Sequence, residues 1–106
     1  MVDKDHILQL IKNSVKATAP GATLILYGSY ARGDYREDSD IDLLILVTAD
    51  KISRDDEIKI KYPLFHIEYD TGVIISPLVL PKKLWETRQL ITEFYENVTA
   101  EGIVLQ

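Results

Sequence analysis

The residues best suited to chemistry lie in one stretch of the 106-residue sequence, YGSYARGDYREDSDIDLLIL, which runs from Tyr27 to Leu46. Asp40 and Asp42 alternate with Ile41, and side chains alternate across a strand, so both carboxylates point to the same side. Neighbouring carboxylates repel each other, and a hard divalent cation between them relieves this repulsion. Mg2+ or Mn2+ suits the pair, because these ions favour oxygen ligands from carboxylate, water and phosphate. The pattern therefore predicts a divalent metal site, and makes Asp40 and Asp42 the candidate catalytic residues.

A phosphate-binding turn is predicted upstream of the two aspartates. Gly28 and Ser29 directly follow an apolar run. Glycine permits a tight or left-handed turn, and backbone N–H groups at the start of a helical turn can bind phosphate. Arg32 lies on the same turn and can offer a planar fork of donors to phosphate oxygens, although pairing with Asp34 or Glu37 on the surface explains it equally well. Gly28, Ser29 and Arg32 are therefore the candidate phosphate-binding residues, and hence the candidates to bind a nucleotide if the protein uses one.

The elements that must position these residues are two strands and a helix. Continuously apolar runs at residues 22–27 and 41–47 are typical of buried strands. Apolar residues at helical spacing from Ile7 to Val15 predict an amphipathic helix, which Asp3 or Asp5 could cap and which ends near residues 20–21. The polar segment between the two strands has room for one helical turn and a loop.

The second half of the sequence is less uniform. Residues 53–70 begin with the helix-capping pattern of Ser53 and acids, yet EIKIKY alternates like a strand; we favour a helix kinked near Pro63. Residues 72–81 predict a third strand, in which Pro77 requires an edge position or a bulge. Residues 84–102 predict a helix in their second half, with Leu90, Phe94, Tyr95 and Val98 at helical spacing and Gly102 at its end.

Composition limits the class of protein. The length suits one domain, residues 1–106, and the net charge of −5 gives no general surface for a nucleic acid. The absence of cysteine excludes disulfides and thiolate sites. We expect a cytoplasmic protein, since no apolar run is long enough to span a membrane and the N-terminus is unlike a signal peptide. The aromatic residues are interpreted as core or core-edge positions, namely Tyr27, Tyr62, Phe65, Tyr69, Trp85, Phe94 and Tyr95.

The spacing of these residues carries a resemblance to a known family. Gly28-Ser29, ten intervening residues and then Asp40-Ile41-Asp42 resemble the signature of the DNA polymerase beta-like nucleotidyltransferase superfamily. The RGD and SDIDLL segments resemble its minimal nucleotidyltransferase branch. The signal is specific, because the motif lies between two apolar strands after a helix, in the order that the family has.

The resemblance implies the fold and the roles of the residues. It implies an α/β nucleotidyltransferase fold, a small mixed sheet flanked by helices, in which Gly28 and Ser29 hold the triphosphate of an NTP. Asp40 and Asp42 would hold Mg2+ or Mn2+. The family usually has a third metal-binding acid on a neighbouring strand, and its place here falls near Ser76. Glu68 and Asp70, at the end of the preceding helix, are the candidates to replace that acid.

Two functions remain open at this point. The first is an enzyme that moves a nucleoside monophosphate from an NTP, ATP being favoured, to a hydroxyl on a protein or a small molecule. The second is a catalytically weak nucleotide-binding or partner-binding antitoxin, which Ser76 would favour. The resemblance also implies a separately encoded helical partner of the HEPN type, in a toxin–antitoxin pair, and self-association is a further possibility.

Overall fold

The computed structural model describes residues 3–87 and 92–106. The helices and strands are, in chain order, α1 (Lys4–Thr18), β1 (Thr23–Tyr27), α2 (Ser29–Arg32), β2 (Ile41–Val47), α3 (Arg54–Thr71), β3 (Ile75–Pro81), α4 (Lys82–Glu86), α5 (Glu93–Glu101) and β4 (Ile103–Val104). Among the helices of these described residues, none combines the length and the apolar character needed to cross a bilayer.

The strands form one mixed sheet in the order β3-β2-β1-β4. Strand β1 is antiparallel to both β2 and β4, whereas β2 is parallel to β3. A parallel pair needs a crossover connection, which α3 provides. The sheet confirms the predicted α/β class, and Pro77 lies on the edge strand β3, as predicted from its missing N–H.

Strand β2 is the centre of the core, because its side chains are buried on both faces of the sheet. On one face, Leu43 and Ile45 pack with apolar residues of α1 and α3. On the other face, Leu44 packs in a second cluster with Trp85 of α4 and Val98 of α5. Burial on both faces is the physical reason for the continuous apolar run of this strand. It also fixes the end of β2 that carries the two aspartates.

Helix α3 settles the ambiguity of residues 53–70. The Ser53 hydroxyl accepts a hydrogen bond from the Asp56 N–H at 3.1 Å, and Gly72 closes the helix in the left-handed conformation at φ 76°. Pro63 lies inside the helix. The strand-like alternation has a simple cause: Ile60 is buried against the core, whereas Ile58 is exposed on the opposite side.

Three aromatic residues of α3 correct a prediction. Tyr62, Phe65 and Tyr69 are exposed, and are not core residues. They follow the same side of the helix as Ile58, away from the sheet, because the spacing of four and three residues returns to one face. The helix therefore packs against the core through its other face, and its aromatic face is exposed to solvent.

The described residues after β3 form two short helices and a short strand. Helix α5 confirms the predicted helix in the second half of residues 84–102, with Phe94, Tyr95 and Val98 on it, whereas Leu90 lies outside the described residues. Gly102 follows the helix, and its N–H donates to the Val98 carbonyl at 2.8 Å. Strand β4, which the sequence patterns do not predict, then pairs with Ile25 and Leu26 of β1.

Candidate functional site

The turn between β1 and α2 places Gly28 directly against Asp42. Gly28 has φ 74° and ψ −156°, a conformation that is essentially restricted to glycine. A Cβ atom at this position would stand 3.2 Å from the Asp42 Cγ and would overlap its Oδ2 atom. The missing side chain therefore lets the backbone of the turn and the Asp42 carboxylate occupy adjacent space.

Helix α2 is a single turn that begins immediately after Gly28. The N–H groups of Ala31 and Arg32 both donate to the Gly28 carbonyl at 3.1 Å, so the hydrogen bonding of the helix starts there. The N–H groups of Ser29 and Tyr30 precede these bonds, and the first N–H groups of a helix have no partner within it. Ser29 is partly exposed beside the turn. The turn thus offers backbone donors next to a carboxylate.

Asp40 and Asp42 lie at the start of β2, on the face of the sheet that α4 and α5 partly cover. Alternation puts them on the same side as Leu44, which belongs to the cluster on that face. Both aspartates are partly exposed. The structure therefore brings together Gly28, Asp40 and Asp42, with Ser29 on the adjoining turn.

The electrostatics of Asp42 reflect this crowding. Burial raises the pKa of the Asp42 carboxyl above its usual 3.8, and the nearby Asp40 charge raises that pKa further. Arg32 acts on the same pKa in the opposite direction, since its positive charge favours the ionised carboxylate. Two carboxylates held near each other in a partly buried position are a set of ligands that a cation would stabilise.

Arg32 contacts two carboxylates in the structure. Its Nε donates to the Asp34 Oδ2 at 3.2 Å, and its Nη1 donates to the Glu101 Oε1 at 3.1 Å. The interpretation as a surface arginine paired with Asp34 is therefore realised, with Glu101 of α5 as the second acid in place of Glu37. Arg32 is nevertheless close enough to Asp42 to lower its pKa. One guanidinium thus lies between the turn, the metal-site candidate and α5.

Ser76 lies where the resemblance places the third acid. It is the partner of Asp42 in the parallel β2–β3 register, and its hydroxyl donates to the Asp40 Oδ2 at 3.4 Å. Glu68 instead accepts a hydrogen bond from the Ile75 N–H at 2.8 Å, and Asp70 is exposed. Within residues 3–87 and 92–106, no three acidic or histidine side chains are grouped closely enough to hold a metal. Glu68 and Asp70 therefore do not join the aspartate pair in this structure.

Tyr27 is a neighbour of the site that the sequence interpretation takes only as a core aromatic. It is the register partner of Asp42 across the antiparallel β1–β2 pair, and its ring meets the edge of Phe94 at a centroid distance of 5.2 Å. Burial raises the pKa of the Tyr27 hydroxyl, and the Asp42 charge adds to the effect. The position of Tyr27 directly before Gly28 in the sequence is the signal that could have indicated its proximity to Asp42.

Sequence comparison connects the chain to a family and to named relatives. The profile of the nucleotidyltransferase domain family matches residues 8–99. Two proteins of Methanocaldococcus jannaschii, both provisionally named protein adenylyltransferases, are similar to this chain. One is 33% identical over 109 residues, which cover 98% of this chain and 99% of the relative. The other is 42% identical over 81 residues, which cover 76% of this chain and 74% of the relative.

Structural comparison identifies the same fold. A crystal structure of a toxin–antitoxin with AMP-PNP matches with a TM-score of 0.67 and 18% identity, over 93% of this chain and 72% of that chain. A Sulfolobus solfataricus protein, provisionally described as a nucleotidyltransferase, matches with a TM-score of 0.55 and 20% identity, over 94% of this chain and 79% of that chain. At these identities the likeness concerns the fold alone.

Proposed function

Since the chain belongs to the nucleotidyltransferase domain family, we propose that this nucleotidyltransferase moves AMP from ATP to a hydroxyl group on a protein. The names of the two M. jannaschii relatives favour a protein as the acceptor. A small-molecule acceptor is the other option for the same chemistry. We take residues 1–106 as one catalytic domain.

The apposition of Gly28 and Asp42 carries the proposal. The turn that would bind phosphate and the acid that would bind its metal touch each other, although they are 14 residues apart in the sequence. A nucleoside triphosphate with its metal ion has two charged parts, the phosphates and the cation, and these must be bound side by side. A solvated pair of acids at a strand entrance would not require a glycine-only backbone packed against one of them.

The residues present fit a divalent cation. Asp40 and Asp42 supply two carboxylates, and the pKa of Asp42 is raised by burial and, after it, by the Asp40 charge, both of which a bound cation would offset. Mg2+ commonly binds through one or two carboxylates together with water and substrate phosphates, so three acids are not required. Bound Mg2+ or Mn2+ would stabilise the negative charge that develops on the phosphate oxygens.

The role of each residue in the transfer follows from its place. Ser29 and the turn would hold the phosphates, and Arg32 would exchange a carboxylate partner for a phosphate oxygen. The acceptor oxygen forms a bond to the α-phosphorus, the bond from that phosphorus to the bridging oxygen breaks, and pyrophosphate leaves with its electron pair. The acceptor hydroxyl gives up its proton to water at the open side of the site. In-line attack requires the acceptor to reach the open side of Asp40 and Asp42.

A second protein would supply the acceptor. The matched crystal structure of a toxin–antitoxin with AMP-PNP combines this fold with a partner and a nucleotide analogue. We extend this arrangement to the present chain, with a separately encoded helical partner of the HEPN type and a role as the antitoxin.

A catalytically weak antitoxin is the second candidate function, and one observation favours it. Ser76 places a neutral hydroxyl beside Asp42, where the family usually has an acid. A hydroxyl is a weaker ligand than a carboxylate for a hard cation, so nucleotide could bind while transfer remained slow. In this case the protein would act by binding its partner, and modification would be incidental.

Label transfer from ATP tests the first function. The protein is incubated with α-labelled ATP, Mg2+ and the product of the neighbouring gene, and the label is followed on the partner. The Asp40→Asn/Asp42→Asn double variant should lose both transfer and Mg2+-dependent ATP binding. A matched variant with Asp55→Asn and Asp56→Asn removes the same charge from exposed positions of α3 and should retain both.

The label-transfer and ATP-binding results together distinguish the two functions. Transfer that requires the aspartate pair supports the enzyme. ATP binding that requires the pair, without transfer, supports the antitoxin that only binds. Equal ATP binding by the double variant and the wild type would contradict the site itself.

A further inference from the structure

Helix α3 carries two apolar faces, and the described part of the chain covers only one of them. Ile60 and Leu64 are buried against the sheet, and Ile67 packs against the same cluster. Each exposed apolar residue of α3 lies two positions before or after one of these inward-facing residues. A step of two residues corresponds to a rotation of about 200° around a helix. The second face therefore points directly away from the core. It consists of Ile58, Tyr62, Phe65 and Tyr69, here called the outer face of α3.

The outer face is large for a chain of this size. The exposed fractions of its side chains are 50% for Ile58, 61% for Tyr62, 45% for Phe65 and 87% for Tyr69. With about 200 Å² of surface for each aromatic side chain, the three rings alone expose roughly 400 Å². A stable interface covers about 800 Å² on each partner, with an apolar core and a polar rim. The outer face has the size of such an interface core.

The two ends of the outer face have complementary shapes. Tyr69 projects at one end of the helix, whereas a groove of about 530 Å³ lies at the other end, lined by Arg54, Ile58 and Tyr62 among others. Ile58 and Tyr69 are 11 residues apart, roughly 16 Å along the helix axis. A second α3 that runs in the opposite direction would place its Tyr69 at this groove and receive the first Tyr69 in its own.

We propose that two copies of this chain associate through antiparallel packing of their outer α3 faces. Tyr69 of each copy enters the groove beside Ile58 of the other, and Tyr62 meets Phe65 at the centre. Arg54, Glu57 and Lys61 also line the groove, and Lys61 is paired with Glu57 at 2.6 Å. The Arg54 guanidinium is therefore the cation that meets the face of the incoming tyrosine ring, a favourable pairing. In a two-fold symmetric dimer, the Tyr69 side chain and the groove of each copy both have a partner. A single helix of another protein would not provide both contacts.

The proposed contact leaves the candidate site open. Helix α3 packs on the face of the sheet that holds Leu43 and Ile45, whereas Asp40 and Asp42 are on the face of Leu44. Two nucleotide sites would therefore face away from the contact. This inference does not rest on the proposed function, because it uses only the surface of α3.

Engineered cysteines test the pairing and its direction. The natural chain has no cysteine, so any disulfide must form between introduced residues. The Ile58→Cys/Tyr69→Cys double variant should form a covalent dimer under mild oxidation, because the two positions face each other across the contact. They cannot join within one chain, since a disulfide requires Cα atoms within about 7 Å. Ile58→Cys alone and Tyr69→Cys alone should remain uncrosslinked.

The mass in solution tests the association without cysteines. Light scattering over a dilution series should show twice the 12.1 kDa chain mass at the higher concentrations. Tyr62→Glu should return the protein to the chain mass at all concentrations. Val104→Glu, at a position that is 65% exposed on β4, should keep the wild-type behaviour, and thermal melting should show all variants folded.

Three results would overturn the proposal. Wild-type protein with the chain mass at every concentration would assign the outer face to another protein. Crosslinking of the single-cysteine variants to the same extent as the double variant would contradict the antiparallel register. A dimer that survives Tyr62→Glu would place the contact on a different surface.

Discussion

The substitution Gly28→Ala tests the contact on which the candidate site depends. The new Cβ would overlap the Asp42 carboxylate, so that side chain must rotate away from the turn. The backbone at φ 74° and ψ −156° costs a non-glycine residue about 1–3 kcal/mol. For a chain of this length, that cost lowers the melting temperature by roughly 5–20 °C. The fold should survive, since domains of this size commonly have about 5–15 kcal/mol of stability.

The effect on nucleotide binding should exceed the effect on stability. Displacement of Asp42 removes a metal ligand from its position, and misplaced ligands or their supports cost about 10–100-fold in metal affinity. Calorimetric titration with ATP and Mg2+, at a temperature where the variant is fully folded, measures this loss directly. We expect at least about a tenfold weaker affinity.

Gly72→Ala is the control for a substitution at positive φ that makes no steric contact. Gly72 also has positive φ, 76°, but no atom lies within 4 Å of its added Cβ. This variant should lose about 1 kcal/mol of stability and keep its affinity for ATP. If Gly28→Ala binds ATP as well as Gly72→Ala does, the Gly28–Asp42 contact has no part in nucleotide binding.

Three further predictions concern the charges around the site. Ser76→Asp should raise Mg2+ affinity by about tenfold, because it adds a full charge beside the pair; unchanged titrations would mean that Ser76 does not face the metal. Glu101→Gln should raise ATP affinity about two- to fivefold by freeing Arg32 from an exposed ion pair, and Arg32→Ala should lower that affinity; an unchanged affinity in Glu101→Gln would show that this pair does not compete with phosphate. Burial and Asp40 raise the pKa of Asp42 above 3.8, so the folded state binds this proton more tightly than the unfolded state and loses stability as the pH rises above 3.8. Metal-free Asp42→Asn should therefore melt at a higher temperature than the wild type at neutral pH, with the difference vanishing in acid; a lower melting temperature at neutral pH would refute this reasoning.

The strand that carries the aspartates could be predicted fully from the sequence. Strand β2 has the predicted bounds, 41–47, because a strand buried on both faces has a continuous apolar run with polar residues at its ends. The contact of Gly28 with Asp42 depends on the antiparallel register of β1 and β2, in which Tyr27 is the partner of Asp42, and the sequence patterns alone do not give this register. Local sequence patterns predict an element correctly where all of its residues have the same environment, as in β2, which is buried on both faces.

Helix α3 shows why other features could not be predicted with the same certainty. Ile58, Ile60 and Tyr62 alternate because the helix has apolar residues on opposite faces, and this pattern is also that of a strand. Only the tertiary structure shows that one of these faces is exposed. The contact of Arg32 with Glu101 joins residues 69 positions apart, and no local pattern encodes a surface ion pair at that separation.

The double burial of β2 has a consequence for how substitutions combine. The α3 side and the α5 side of the sheet carry separate apolar clusters in the described residues, and the strands of the sheet, with β2 at their centre, contribute side chains to both clusters. Effects of distant substitutions without common neighbours are additive to within about 0.5 kcal/mol. Paired changes on opposite faces should thus show little epistasis, whereas any change in Leu43 or Leu44 should alter the effect of substitutions on both sides. The outer surface and the nucleotide site could therefore diverge independently during evolution, while β2 remains the constrained segment of the chain.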